Sequence, residues 1–222
     1  MLNLFSIFDP STNLFYSMNW ISSFLWILLL PQIYWLMNSR FYKFMMILMK
    51  SLWNEFKVIM KVKFNMNNML YLLSLFMFIL LNNFMGLFPY LFTSSSHLMF
   101  SLSISLSMWI GFMLFGWLKN TTFMFVHLVP MGTPFILMFF MVMIEMLSNL
   151  IRPMTLSIRL VANMVAGHLL LTLLGGFISK FLMIYMLMVI VQLLLLFLEM
   201  VVSFIQAYVF IILMLLYLKE TN

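Results

Sequence analysis

Two arginines stand seven residues apart in a stretch that is otherwise almost wholly apolar: IRPMTLSIRLVANMVAGHLLLTLLGG, residues 151–176. Arg152 and Arg159 are followed by Asn163 and His168. An arginine inside a bilayer costs between about 3 and 17 kcal/mol. It cannot escape that cost by giving up its proton. Such a residue is functional by default and wants an anionic partner. At 100° per residue, Glu145, Asn149, Arg152, Arg159 and Asn163 share one helical stripe about 80° wide, with Glu145 and Arg159 about 21 Å apart along the axis. His168 points to nearly the opposite face. Further on, Gln192, Glu199 and Gln206 repeat at sevens with Ser203 beside them, forming a second polar stripe. Two such stripes turned inward in a helical hairpin predict a buried hydrophilic seam, in which Glu145 and Glu199 are the acids available to Arg159. Carboxyls and an imidazole in a seam can pass protons on through water. For Arg152, structural pairing with Glu145 or Asn149 weighs as much as a functional role. Asn82, Asn83 and Ser203 read more simply as interhelical hydrogen-bond glue, worth about 1 kcal/mol each. His97 and His127 sit near loops and read as interfacial.

The elements that must hold these groups follow from composition and run length. The chain has 222 residues, of which 66% are hydrophobic and 7% charged. Soluble domains carry about 25% charged residues, so this is an integral membrane protein. Its apolar runs are helix-length and lack the alternation of a barrel strand. There is no cysteine, hence no disulfide framework, thiolate metal site or cysteine nucleophile. The three histidines give no i,i+4 metal or haem pair, and no phosphate-binding G-x-x-x-x-G-K-[ST] occurs. No cofactor, metal or nucleic acid is expected. No basic or Arg-rich leader precedes Arg40, so no cleaved targeting segment is expected either.

The expected fold is all-α: five membrane-embedded helices over residues 13–37, 69–91, 98–118, 134–174 and 177–218, in a single membrane domain covering 1–222. A sixth, amphipathic helix over 40–63 lies in the membrane surface, with Lys43, Lys50, Lys57 and Lys61 on one stripe reaching for the headgroups. Gly175 and Gly176 are expected to turn the chain between the last two helices. Those two are too long: about 40 residues make about 60 Å of helix, twice the roughly 30 Å hydrocarbon thickness. They must tilt, break or bend, as helices would that wrap along the side of something. Pro153 can kink the first of them.

Residues 40–63 hold six of the eleven basic residues, which places that segment on the negative side of the membrane. Five spans then put the N-terminus outside and the C-terminus inside. With that orientation Glu145 lies toward the inside, His168 and Glu199 toward the outside, and Gln206 at about the depth of Arg159. A fixed cation between two polar half-paths blocks a continuous proton wire. A mobile acid on another protein would have to carry the proton across. The competing reading is a self-contained proton or cation channel or transporter, which would conduct without a partner; the inverted repeats of many transporters are not visible. A haem- or copper-bearing redox subunit would want paired histidines. A pure scaffold would not need Arg159 and two carboxyl stripes.

NLFSIFDPS, LNNFMGLFPY, HLVPMGTP, the 151–176 stretch and LEMVVSFIQAYVF, in that order and spacing, resemble subunit a of the rotary ATP synthase in its animal mitochondrial form. The resemblance covers essentially the whole chain. It implies a stator subunit in the mitochondrial inner membrane, with two long tilted helices along a rotating c-ring. It implies that Arg159 faces the carboxylate on each c subunit, that His168, Glu199 and Gln206 lie on or near the uptake side, and that Glu145 lies toward the matrix exit. The chain would translocate protons through two offset half-channels and do no chemistry on ATP. Peripheral stalk and small membrane subunits are implied as further partners, reached through the amphipathic helix and the first span. Met131 and Val161 stand where the family often has polar residues. The Met and Phe bias and the absent leader fit an organelle-encoded protein.

Overall fold

The computed structural model describes residues 4–13, 15–32, 36–60, 66–129, 134–178 and 185–221. The elements, in chain order, are a 3-10 turn Leu4–Phe8, a 3-10 helix Met18–Phe24 leading into α1 (Trp26–Leu29), α2 (Arg40–Ile59), α3 (Met66–Gly86), a 3-10 turn Ser94–Ser96, α4 (Leu98–Lys119), α5 (Thr121–Leu128), α6 (Phe135–Ile178) and α7 (Tyr185–Glu220). Four of them, α3, α4, α6 and α7, are long and apolar enough to cross a bilayer. No strand is present among the described residues.

The first span departs from the expected uninterrupted helix over 13–37. It is a shorter apolar stretch, Met18–Leu29, that is 3-10 for most of its length. Ser23 Oγ bonds the Trp20 carbonyl at 2.8 Å, and Ser22 Oγ donates across to the Phe92 carbonyl at 2.9 Å, which ties this stretch to the connection after α3. Leu30 is extended (φ −70°, ψ 121°), as the residue before a proline prefers.

α2 behaves as the charge pattern predicts. Ser39 caps its start by accepting the Tyr42 N–H at 3.2 Å. Lys43, Lys50 and Lys57 are exposed, while Leu52 and Phe56 on the opposite side are buried. Lys61 and Lys63 lie outside the described residues. Tyr208 Oη on α7 donates to Glu55 on α2 at 3.0 Å.

α3 is the central helix. Met69, Leu72, Leu73, Phe76, Ile79 and Leu80 are all buried, and they pack with Phe210, Ile211, Met214 and Leu215 of α7 and with Leu156 and Leu160 of α6. The connection after α3 turns back into the protein: Thr93, Ser94, Ser95 and Ser96 are all buried. Gly86 permits this. A Cβ there would stand 3.1 Å from Thr93 Cγ2 and 3.3 Å from Met164 Cε. Tyr90, at the bend, has φ 69° and is fully exposed.

The 44 residues of α6 make about 66 Å of helix and the 36 of α7 about 54 Å. Both exceed the bilayer core, so both must tilt or bend to stay within it. α6 runs through Pro153, which leaves the Asn149 carbonyl without its helical donor. It also runs through Gly175 and Gly176, contrary to the expected turn. Neither glycine has a left-handed φ, and a Cβ on either would meet nothing within 4 Å. The connection between α6 and α7 falls at residues 179–184, outside the described residues.

Candidate functional site

The register of the α6–α7 pair is set at two levels. At the C-terminal end of α7, Arg152 Nη1 meets Glu220 Oε2 at 2.6 Å and Arg152 Nη2 meets Glu145 Oε1 at 3.9 Å. The guanidinium also lies 5.2 Å from the centre of the Tyr217 ring. Further along the pair, Gly167 of α6 sits against Glu199 of α7 so closely that a Cβ would stand 2.5 Å from Glu199 Oε1. A small side chain is therefore required at 167, and glycine there is what lets the carboxyl reach α6.

Between these levels lies Arg159. Its neighbours Leu156, Ser157, Leu160 and Met164 are buried and form the inward face of α6. Arg159, Ala162, Asn163 and Ala166 form the opposite, exposed face. Arg159 makes no ion pair within 4.0 Å among the described residues. This corrects the expected seam. The inward stripe splits: Arg159 and Asn163 look out of the subunit, while Glu145, Asn149 and Arg152 are half-buried around the Arg152–Glu220 pair. Neither acid expected for Arg159 reaches it. Glu145 is engaged by Arg152, and Glu199 lies at the level of Gly167. The partner of Arg152 that the sequence reading missed is Glu220. Only the antiparallel register brings residue 220 beside residue 152.

Among the described residues, buried polar atoms without a partner are concentrated away from the Arg152–Glu220 pair. They include His168 Nε2, both carboxylate oxygens of Glu199, both amide atoms of Gln206, Asn82 Nδ2, both amide atoms of Asn83, and Ser95 Oγ. A buried polar group left unpaired costs about 1–3 kcal/mol. Asn82, Asn83 and Ser95 line one small cavity with Ser101, and its walls include Leu160, the residue after Arg159, and Phe210 of α7. The two asparagines, read from the sequence as glue between helices, thus make no such bonds through Asn82 Nδ2 or either atom of Asn83. Their adjacency to the inward-folded Ser94–Ser96 turn is invisible in one dimension.

The remaining residues fall as follows. Ser203 is buried, and its hydroxyl bonds the Met200 carbonyl of its own helix at 2.7 Å rather than bridging to another helix. Gln192 is half-buried. Asn149 lines a cavity with Arg152, Tyr217 and Glu220. His97 is packed by the rings of Trp20 and Phe92 (centroids 5.3 and 5.1 Å) on the connection that follows α3. His127 lies in α5, its side chain outside the described residues, as is Met131. Val161 is half-buried. Chemically, the arrangement among the described residues offers an exposed cation at mid-helix without an ion pair, a cluster of acid, imidazole and amides without partners, and an ion-paired cluster around Arg152. Among the described residues it holds no nucleophile–base pair.

Residues 14–219 match the family described as ATP synthase A chain. The chain is 55% identical over 222 residues to the ATP synthase subunit a of Locusta migratoria, covering 99% of each chain. It is 53% identical over 224 residues to that of Drosophila yakuba and 50% identical over 225 residues to that of Aedes aegypti, covering 100% of both chains in each case.

Proposed function

The chain belongs to the ATP synthase A chain family, whose members are proton-translocating, non-catalytic stator subunits of the membrane sector, and from that premise we infer which residues carry the proton. As a family member it works within the assembled ATP synthase, and it is a multi-pass inner-membrane protein. The observation that carries the residue assignment is Arg159: exposed, at mid-helix, with no ion pair among the described residues. A permanent cation on a face that meets either lipid or a partner demands a partner. The partner of fitting chemistry is a carboxylate at the same depth on the rotating c-ring. Ala162 and Ala166 beside Arg159 are short enough for a partner helix to come close, and Asn163, one turn along, offers an uncharged hydrogen bond.

His168, Glu199 and Gln206 form the outer half-channel, joined by Asn82, Asn83 and Ser95, and Glu145 belongs to the inner one. Arg159 stands between them and repels a proton that would run straight through. Asn149, Arg152 and Glu220 shape the inner exit. Gln192 and Ser203 support α7. The N-terminus lies in the intermembrane space and the C-terminus in the matrix, so that the lysines of α2 lie on the matrix side. α2 and Met18–Leu29 face the peripheral stalk and small subunits. Each charge that crosses about 100 mV releases about 2.3 kcal/mol, so only a rotor that adds several steps can drive ATP synthesis.

The test is Arg159→Ala in the assembled complex, in vesicles, with ATP-driven proton uptake as the readout. Assembly should survive, because Arg159 makes no ion pair or side-chain hydrogen bond among the described residues, and coupled pumping should vanish. Pumping near the parental rate overturns the assignment. Proton conduction by the isolated subunit would favour a self-contained channel instead.

A further inference from the structure

The proton path drawn above does not use the N-terminal segment, yet that segment lies on it. The Phe8 ring meets the His168 imidazole edge-on, with centroids 6.2 Å apart and planes 84° apart. Phe8 is half-buried there, whereas Phe5 on the same turn is 66% exposed. His168 Nε2 is buried without a partner among the described residues. The turn is tied down through its end. The Asp9 carbonyl accepts from Asn19 Nδ2 at 3.1 Å, and the Asp9 carboxylate accepts from the Ser11 amide and hydroxyl at 3.2 and 2.9 Å. Asn19 belongs to the 3-10 helix Met18–Phe24. That helix is itself fastened to the connection after α3 by Ser22 on the Phe92 carbonyl and by Trp20 against Phe92 and His97. The segment is thus a strap from that connection to α6, and its aromatic end lies on the imidazole.

We propose that Phe8 is the outer lid on His168, and that the strap Leu4–Asp9 forms the rim past which protons reach that imidazole. The inference rests on His168 belonging to the uptake side. An aromatic ring carries no exchangeable proton, so it closes the side of the imidazole that it covers and confines access to the polar rim beside it. On that rim stands Asp9, an exposed carboxylate adjoining Phe8. A negative charge at a narrow mouth raises the local concentration of cations, protons included.

The chain has no cysteine, so His168→Cys introduces the subunit's one thiol. In the assembled complex its rate of modification by a membrane-impermeant, positively charged methanethiosulfonate reports access from each side. From the outer side, Phe8→Ala should raise the rate at least tenfold and Phe8→Trp should not raise it. Phe5→Ala should stay within twofold of the parent. If Phe8→Ala impairs assembly, Phe8→Leu replaces it, with rates expected in the order Leu, Phe, Trp from fast to slow. Outer-side rates that ignore residue 8 overturn the lid while leaving His168 on the uptake side. Reaction from the inner side alone overturns that placement, and the lid with it.

Discussion

Gly167→Ala should slow proton uptake by ten- to a hundredfold while the complex still assembles. The new Cβ would stand 2.5 Å from Glu199 Oε1, 2.8 Å from Cδ and 3.1 Å from Cγ. Ordinary van der Waals contact begins near 3.4 Å, so the carboxyl must retreat by about 0.9 Å. The atoms in the way are the far end of a flexible side chain, so a rotation of Glu199 can relieve the clash and folding should survive. Proton transfer is less tolerant: a misplacement of about 1 Å can cost on the order of a hundredfold in rate. The assay is ATP-driven proton uptake in vesicles, normalised to assembled complex. A second substitution makes the reasoning specific. Glu199→Asp draws the carboxyl back by one methylene, so it should impair the parent yet restore part of the activity to Gly167→Ala. Uptake at the parental rate in Gly167→Ala would refute the role of the Glu199 carboxyl position. A loss that Glu199→Asp does not relieve would mean that the damage lies in helix packing.

Other substitutions probe the remaining clusters. Asn83→Leu should leave the thermal stability of the complex unchanged or higher, because an unpaired buried amide costs about 1–3 kcal/mol, yet proton uptake should fall severalfold if the cavity beside Leu160 carries water; unchanged uptake removes Asn82, Asn83 and Ser95 from the path. Glu220→Gln breaks the 2.6 Å pair with Arg152, but its side chain is 43% exposed and such pairs contribute only about 0.2–1 kcal/mol. Pumping should therefore stay within about threefold of the parent, while amide exchange in the last turn of α7 quickens; a tenfold loss of pumping would assign Glu220 a direct part in proton release.

Much of this protein is determined by composition and order alone. An apolar chain with so few charges has no soluble fold open to it, and backbone groups in lipid must be satisfied within helices. The lysine stripe of α2 needs no tertiary help, since one face of a helix follows from spacing. The expectation that an arginine in an apolar run needs a partner is equally local, because the cost of burying an unpaired cation does not depend on the fold. What faces what is another matter. α6 continues through Gly175 and Gly176, where a turn was expected, since a glycine permits a turn without requiring one. The first span is mostly 3-10, and Ser22 within it bonds a carbonyl 70 residues away in sequence. Helical periodicity put Arg152 and Arg159 on one stripe. Tertiary packing then paired Arg152 with the end of α7, whose residue 220 no periodicity links to it, and left Arg159 on the open face. Inward and outward are defined only once α3 has taken one side of α6 and α7, and that choice separates the arginine paired within the chain from the one on the open face.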